Sequence, residues 1–183
     1  MRISEIDPDA LTPEQQVIYD RITAGPRGQV RGPYQAWLRN PGYCDQVEKM
    51  GHYLRFAAIL PGNLRELAII TVARHWKAEF EWFAHAPVAL REGVSEEIIN
   101  AIERGDAPVF KDKNEAAVHA FVGQLLASGH VDDGAYQGMV AMVGEDGVVE
   151  MIGLVGHYTG VAMTLNSFAI TPPEGEGPNF DAT

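Results

Sequence analysis

Residues 64–93 decide the fold of this chain: LRELAIITVARHWKAEFEWFAHAPVALREG is a long run in which apolar side chains outnumber polar ones. Three of these, Glu66, Glu81 and His85, belong to residue types that hold or transfer protons. Glu81 and His85 are four positions apart, so on a helix they share one face and their side chains can meet. In one straight helix Glu66 would lie about 22 Å from Glu81. The two carboxylates can therefore converge only if the run folds back as two helices.

The spacing of these residues resembles that of the carboxymuconolactone decarboxylase and alkylhydroperoxidase D superfamily. The core helices of that superfamily carry a glutamate, then a Cys-x-x-Cys pair, then a histidine. Counted back from His85, the two cysteines fall on Ala78 and Glu81, and the glutamate falls on Glu66. Both redox cysteines are therefore missing here. The decarboxylase branch also lacks them and retains the histidine, and the chain resembles this cysteine-free branch.

The resemblance covers about residues 30–170 and implies an all-α, alkylhydroperoxidase D-like helical bundle. It also predicts that the chain reverses direction between Arg74 and Phe80, although no Gly or Pro marks a break there. We divide the chain into an N-terminal helix with a Gly/Pro loop (1–29), the family-like helical domain (30–170) and a loose C-terminal tail (171–183). The resemblance further implies a homo-oligomer, either a trimer or a dimer-built hexamer.

Helix start and stop signals continue through the rest of the chain, and no sustained strand pattern interrupts them. A short helix ending near Val143 is predicted to precede a last helix from Val148 to Phe168. His157 on that last helix could point into a site, but burial against a neighbouring helix is expected. The predicted helix starts are Thr12-Pro13, Asn40-Pro41, Asn63, Ser95, Asp112 and either Asp132 or Asp133, and the predicted ends are Gly25-Pro26, Leu60-Pro61-Gly62, Gly105 and Gly129.

Composition excludes several partners and compartments. The chain has 183 residues, a formal net charge of −11 and 46% hydrophobic residues, which suits one helical core and disfavours nucleic acid or an anionic membrane as a partner. The single cysteine, Cys44, cannot form an intramolecular disulfide and fits a reducing compartment. The N-terminus lacks a signal pattern and no apolar run reaches membrane-spanning length. We therefore expect a soluble, cytoplasmic protein.

His85 is the expected catalytic proton-transfer group, and Glu81 is its expected orienting partner. At the start of the second helix, the helix dipole favours an ionised Glu81 and a neutral His85, whereas a nearby carboxylate favours the imidazolium. These opposing effects leave the imidazole tunable near neutral pH, as a general acid or base requires. The alternative is a buried Glu–His pair that only satisfies its own hydrogen bonds.

Glu66 has a competing structural role. It follows Asn63 by three residues, the position from which a glutamate closes a capping box at a helix start. The spacing to Glu81 and His85, interpreted through the family resemblance, instead makes Glu66 a third catalytic residue. Both interpretations remain open from the sequence.

Trp82, His52 and Arg55 are the predicted substrate-binding residues. Trp82 belongs to an aromatic cluster suited to bind a ring, and Arg55 is a candidate cation for a substrate carboxylate. His52 has the alternative of an ordinary surface or core histidine. Arg27 and Arg31 lie on a Gly/Pro-rich loop, which we interpret as a solvated loop rather than a lid or an anion contact.

The resemblance and the residues together favour a carbon–carbon lyase like 4-carboxymuconolactone decarboxylase. Such an enzyme uses cofactor-free acid/base chemistry on a small carboxylated lactone or ring acid, and an isomerisation would use the same groups. An alkylhydroperoxidase-like antioxidant activity is disfavoured because it needs a thiolate pair. A non-catalytic ligand-binding oligomer is the third alternative. No metal is expected, because Glu81 and His85 form ExxxH rather than the ExxH of helical di-iron sites.

Overall fold

The computed structural model describes residues 1–180, and residues 181–183 lie outside the described part of the chain. A short 3₁₀ helix, Pro8–Ala10, precedes eight α-helices within the described residues. These are α1 (Pro13–Ala24), α2 (Tyr34–Trp37), α3 (Pro41–Phe56), α4 (Gly62–His75), α5 (Glu79–Glu92), α6 (Glu96–Arg104), α7 (Lys113–Ser128) and α8 (Asp133–Ser167).

The predicted all-α class is confirmed, since residues 1–180 contain helices and no strand. The capped starts of α1, α3, α6, α7 and α8 are also confirmed, each with a side-chain oxygen accepting from the first turn. Across the same described residues, no helix combines the length and apolar character needed to cross a membrane. The cytoplasmic location remains a prediction.

Helix α4 lies at the centre of the bundle. Nine of its fourteen residues are buried, including the polar Glu66 and Thr71, so it has almost no solvent face. A helix that is apolar all round must be enclosed by other elements, and α4 packs against α5, α7 and α8. Any polar side chain on α4 therefore depends on partners from these neighbours.

The predicted reversal within residues 64–93 is confirmed. Helix α4 ends at His75, α5 begins at Glu79, and the two pack side by side as a helical hairpin. The turn is made by Lys77, a non-glycine residue in the left-handed region at φ 51°. The amide of Ala78 donates back to the carbonyl of Ala73 at 2.8 Å and closes the end of α4. This explains how the chain turns without the Gly or Pro that normally marks a break.

Helix α8 is interrupted at Gly144, where φ is 72° and ψ is 172°. The interruption lies between Val143 and Val148, the predicted end of one helix and start of the next. The longer second part of α8 supplies the buried face that packs on α4. His157 on this part is buried, as predicted from its position.

The predicted start of α4 is wrong in detail. The helix begins at Gly62, after Pro61, and no side chain caps its first turn. The amide of Asn63 instead donates to Glu115 on α7 at 3.4 Å. A cap at Asn63 is therefore absent, because its side chain is turned towards a neighbouring helix.

The segment predicted as a loose tail has no helix and is mostly exposed over residues 171–179, and residues 181–183 lie outside the described part, but Phe180 is buried. Phe180 is 1% exposed and lies against Trp82, with the ring centroids 5.6 Å apart. The Arg74 guanidinium lies 4.9 Å from the centre of the same ring. The Phe180 amide also donates to the Glu79 carboxylate at 3.1 Å. The segment is held because this aromatic side chain completes the core beside the start of α5.

Candidate active site

A cavity of about 220 Å³ lies between α3, α5, α8 and the loop before α2. Glu81 and His85 line it from α5, and Arg55 lines it from α3. The remaining walls combine aromatic side chains with several polar ones. The aromatic walls are Tyr34, Trp37, Phe56, Phe80 and Tyr158.

Glu66 and His85 form a buried hydrogen-bonded pair behind this cavity. The His85 Nδ1 atom lies 2.7 Å from Glu66 Oε2, and the two residues are 5% and 1% exposed. The second oxygen of Glu66 accepts from Arg65 Nε at 3.4 Å. The capping role for Glu66 is therefore wrong, because its carboxylate crosses to α5 instead of returning to its own helix start.

The pairing also corrects the expected partner of His85. Sequence spacing predicted Glu81, four residues earlier on the same helix, whereas the structure pairs His85 with Glu66 across the hairpin. The turn at Lys77 sets α4 beside α5 and brings the two side chains together. The tertiary contact therefore takes the place of the expected i, i+4 contact.

The protonation states of the pair follow from burial and from its hydrogen bond. Burial alone would raise the pKa of Glu66, but the His85 contact and the charges of Arg55 and Arg65 lower it below its usual value. Burial lowers the pKa of His85, and the Glu66 carboxylate only partly opposes this effect. The pair is therefore an ionised carboxylate beside a neutral imidazole. Because an ionised carboxylate only accepts, we assign the proton to Nδ1, which leaves Nε2 able to accept another.

Glu81 is in a different electrostatic state. It is 2% exposed, and neither carboxyl oxygen has a hydrogen-bond partner among the described residues. Burial raises the pKa of Glu81 well above its usual value. The helix dipole was expected to keep it ionised, but that effect is about 0.3–1 kcal/mol, against several kcal/mol for burying an unpaired charge. Burial therefore favours the protonated form of Glu81, opposite to the expectation from the helix dipole.

The three predicted substrate-binding residues are placed differently from one another. Arg55 lines the cavity, with its guanidinium 5.3 Å from the centre of the Phe56 ring. Trp82 does not line it, because its indole is buried on the far side of α5 against Phe180. His52 is exposed and lines an adjoining groove rather than the cavity. The structure thus corrects the expected positions of Trp82 and His52.

Four polar residues outside the predicted site set also line the cavity: Arg27, Gln29, Arg31 and His157. Arg27 places its guanidinium 5.4 Å from the centre of the Tyr34 ring and 5.5 Å from that of Phe56. His157 reaches in from α8, next to Tyr158. The solvated-loop interpretation is therefore wrong for Arg27. Its two glycine- and proline-rich flanks gave no sign that the loop folds inward.

Cys44 is unsuited to thiol chemistry. Its side chain is fully buried, and burial, together with the charge of Glu48, raises the pKa of the thiol to about 12. The cysteine also lies outside the cavity lining. Within residues 1–180, no group of three or more His, Cys, Asp and Glu side chains is arranged to hold a metal ion.

The α4–α5 hairpin thus buries the Glu66–His85 pair close to the buried carboxyl group of Glu81, beside one cavity. Residues 41–122, from the start of α3 into α7, match the family model described as "Carboxymuconolactone decarboxylase family". The match covers less than half of the chain and confirms the resemblance recognised in the sequence. The matched residues include Glu66, Glu81 and His85. No curated protein sequence matches the chain significantly.

Proposed function

We propose that the protein is a cofactor-free lyase of the carboxymuconolactone decarboxylase type, acting on a small carboxylated lactone or ring acid. The observation that carries this proposal is the pairing of opposite protonation states at one cavity. Glu81 is a neutral acid, and His85, held by Glu66, is a neutral base. Two titratable groups whose environments push their pKa values apart are the usual basis of acid/base assignment in an enzyme.

Glu66 acts as the positioning residue in this scheme. Its carboxylate accepts from His85 Nδ1 and fixes the tautomer and the orientation of the ring. Tyr158 lies edge-on to the imidazole, with centroids 5.1 Å apart, and restricts its rotation further. His85 Nε2 then remains as the basic atom, a geometry that general base catalysis requires.

In a decarboxylation, the bond to the leaving carboxylate breaks and its electron pair moves towards a conjugated carbonyl group. The carbonyl oxygen takes the proton of Glu81, giving an enol and CO₂. The enol carbon then takes a proton from solvent while His85 accepts the enol O–H proton and returns it to Glu81. One solvent proton replaces the carboxylate overall, and no redox partner is needed.

An isomerisation would use the same residues in another order. His85 would remove a proton from carbon next to the carbonyl group while Glu81 donates to its oxygen. The two reactions differ in the fate of the carboxylate, because only decarboxylation releases CO₂. The proposal favours decarboxylation because the family segment carries the acid/base residues.

The test is NMR in D₂O with ¹³C-carboxyl-labelled cyclic β-keto acids and unsaturated lactone acids. Decarboxylation releases labelled CO₂ and leaves one deuterium in the product, whereas isomerisation retains the label. His85→Ala should lose about 10²–10⁴-fold in rate while remaining folded. His130→Ala is the matched control, since that imidazole is exposed and does not line the cavity. Unchanged turnover in His85→Ala would refute the proposed role, and binding without any turnover would favour a ligand-binding protein.

A further inference from the structure

Among the described residues, four of the five buried side-chain polar atoms without a hydrogen-bond partner belong to residues that line the cavity. Besides both oxygens of Glu81, they include Arg27 Nε and His157 Nδ1, and all three residues line the same space. A buried polar atom without a hydrogen bond costs about 1–3 kcal/mol. Such a cost at three residues around one space indicates that they are arranged for a polar ligand. Glu81 has a role in the proposed chemistry, whereas Arg27 and His157 do not.

The charges around the cavity favour an anion. Arg27, Arg31 and Arg55 line it, and Glu81 is the one carboxyl group among the residues that the structure places in its walls. Because burial raises the pKa of Glu81, that group does not neutralise them. Burial, with the nearby charge of Arg27, lowers the pKa of His157 to about 4, so its imidazole is neutral. A chain with a net charge of −11 thus has a cationic cavity.

Arg27 is fixed in place before any ligand arrives. Its guanidinium contacts the rings of Tyr34 and Phe56. Gly51 on α3 makes room for it, because a Cβ atom there would lie 3.2 Å from Arg27 Nη2 and 2.7 Å from His157 Nε2. Both side chains therefore meet over the same glycine. A guanidinium held between aromatic rings presents its N–H groups in one plane, which matches a planar carboxylate.

Both residues lie outside the segment that matches the family model, residues 41–122. Arg27 comes from the loop before α2, and His157 comes from α8. The acid and base come from within the matched segment. The cavity therefore combines a family-derived reactive side with a wall that other parts of this chain supply.

We propose that Arg27 and His157 form a carboxylate-binding subsite that sets the substrate specificity of the cavity. It binds a planar carboxylate attached to a ring and turns the rest of the ring towards Glu81 and His85. This inference rests on the proposed function for its reaction, but it concerns binding and is tested without turnover. Gly51 is the position on α3 that allows the two side chains to converge.

The test is isothermal titration calorimetry of the full chain with benzoate and with benzamide, its neutral counterpart of the same shape. Benzoate should bind more tightly than benzamide. Arg27→Ala should weaken benzoate binding about tenfold or more and leave benzamide unchanged, because a charged hydrogen bond is lost. His157→Phe, which keeps a ring but removes both nitrogens, should weaken benzoate severalfold. Arg104→Ala removes an exposed arginine outside the cavity and should leave both affinities unchanged.

Equal binding of benzoate and benzamide would overturn the subsite, and so would full benzoate affinity in Arg27→Ala. If Arg27→Ala does not fold, Arg27→Lys serves instead. It keeps the charge but not the planar fork, and the subsite requires that it also weakens benzoate. Tight, Arg27-dependent benzoate binding with no turnover of any ring acid would leave the subsite standing and refute the proposed reaction. Turnover together with benzoate binding that does not depend on Arg27 would support the proposed reaction and refute the subsite.

Discussion

Glu81→Gln is expected to stabilise the protein, and the gain should grow as pH rises. In the unfolded chain the carboxyl of Glu81 titrates around its ordinary pKa of 4.5, whereas burial raises the pKa in the folded protein well above that value. Between the two pKa values the folded state binds one more proton than the unfolded state. The free energy of unfolding therefore falls with rising pH across that window. Glutamine keeps the shape of the side chain and removes the titration.

The slope of this effect follows from linkage. One proton of difference changes the free energy of unfolding by about 1.4 kcal/mol per pH unit. The stability of Glu81→Gln relative to the parent should therefore rise at up to about that slope from pH 5 upwards. Burial lowers the pKa of His85 and of His157, so their protonation in the unfolded chain lowers the free energy of unfolding as pH falls below about 6.5. Because both proteins contain these histidines, their effects largely cancel in the difference.

The measurement is urea unfolding of both proteins, followed by tryptophan fluorescence at pH 5, 6, 7 and 8. Glu5→Gln is the matched control, because it removes an exposed carboxyl by the same chemical change. A flat difference for Glu81→Gln would mean that Glu81 is ionised throughout. That result would refute both its neutral state and its assignment as the acid.

Three further outcomes are expected. Glu66→Gln should fold, lose turnover and shift the acid limb of the rate profile to lower pH, because the carboxylate that partly holds up the His85 pKa is gone; an unmoved limb would contradict the pair. Phe180→Ala should lower the free energy of unfolding by about 3–5 kcal/mol in a urea titration; a loss under 1 kcal/mol would show that the segment carries little of the core. We predict a homo-oligomer assembled through exposed apolar residues such as Met50 and Ile152. Ile152→Glu should therefore lower the molecular mass measured by light scattering. A measured mass of 20.0 kDa for the unchanged protein, the mass of one chain, would contradict assembly.

The helical class and the reversal were predictable because local and family-like patterns agree there. Caps and glycine stops lie close in sequence to the turns they close, so Thr12, Ser95 and Gly129 specified their helix ends directly. The reversal was predicted from the spacing of Glu66, Glu81 and His85 interpreted through the family resemblance. The turn itself uses Lys77 in the left-handed backbone conformation. No sequence pattern indicates this, because the surrounding fold rather than the residue type imposes that conformation.

The partner of His85 was not predictable from spacing. An i, i+4 rule describes the surface of one helix, and Glu81 satisfies it, but the buried side of His85 meets Glu66 from another helix. The protonation of Glu81 likewise depends on enclosure by elements distant in sequence. Arg27 shows the same limitation in a loop, because composition described its flanks as solvated while Tyr34 and Phe56 enclose its side chain.

The docked segment that ends at Phe180 has a consequence for the order of folding. The Glu66–His85 hydrogen bond joins residues 19 positions apart, whereas the Phe180–Glu79 bond joins residues 101 apart. Short loops cost less entropy to close, so the helical hairpin can form early and the long-range contact later. A contact absent from the transition state affects mainly the unfolding rate. Phe180→Ala should therefore accelerate unfolding in stopped-flow experiments and change the folding rate little. The Phe180 contact would then slow the unfolding of a helical hairpin that forms before this contact is made.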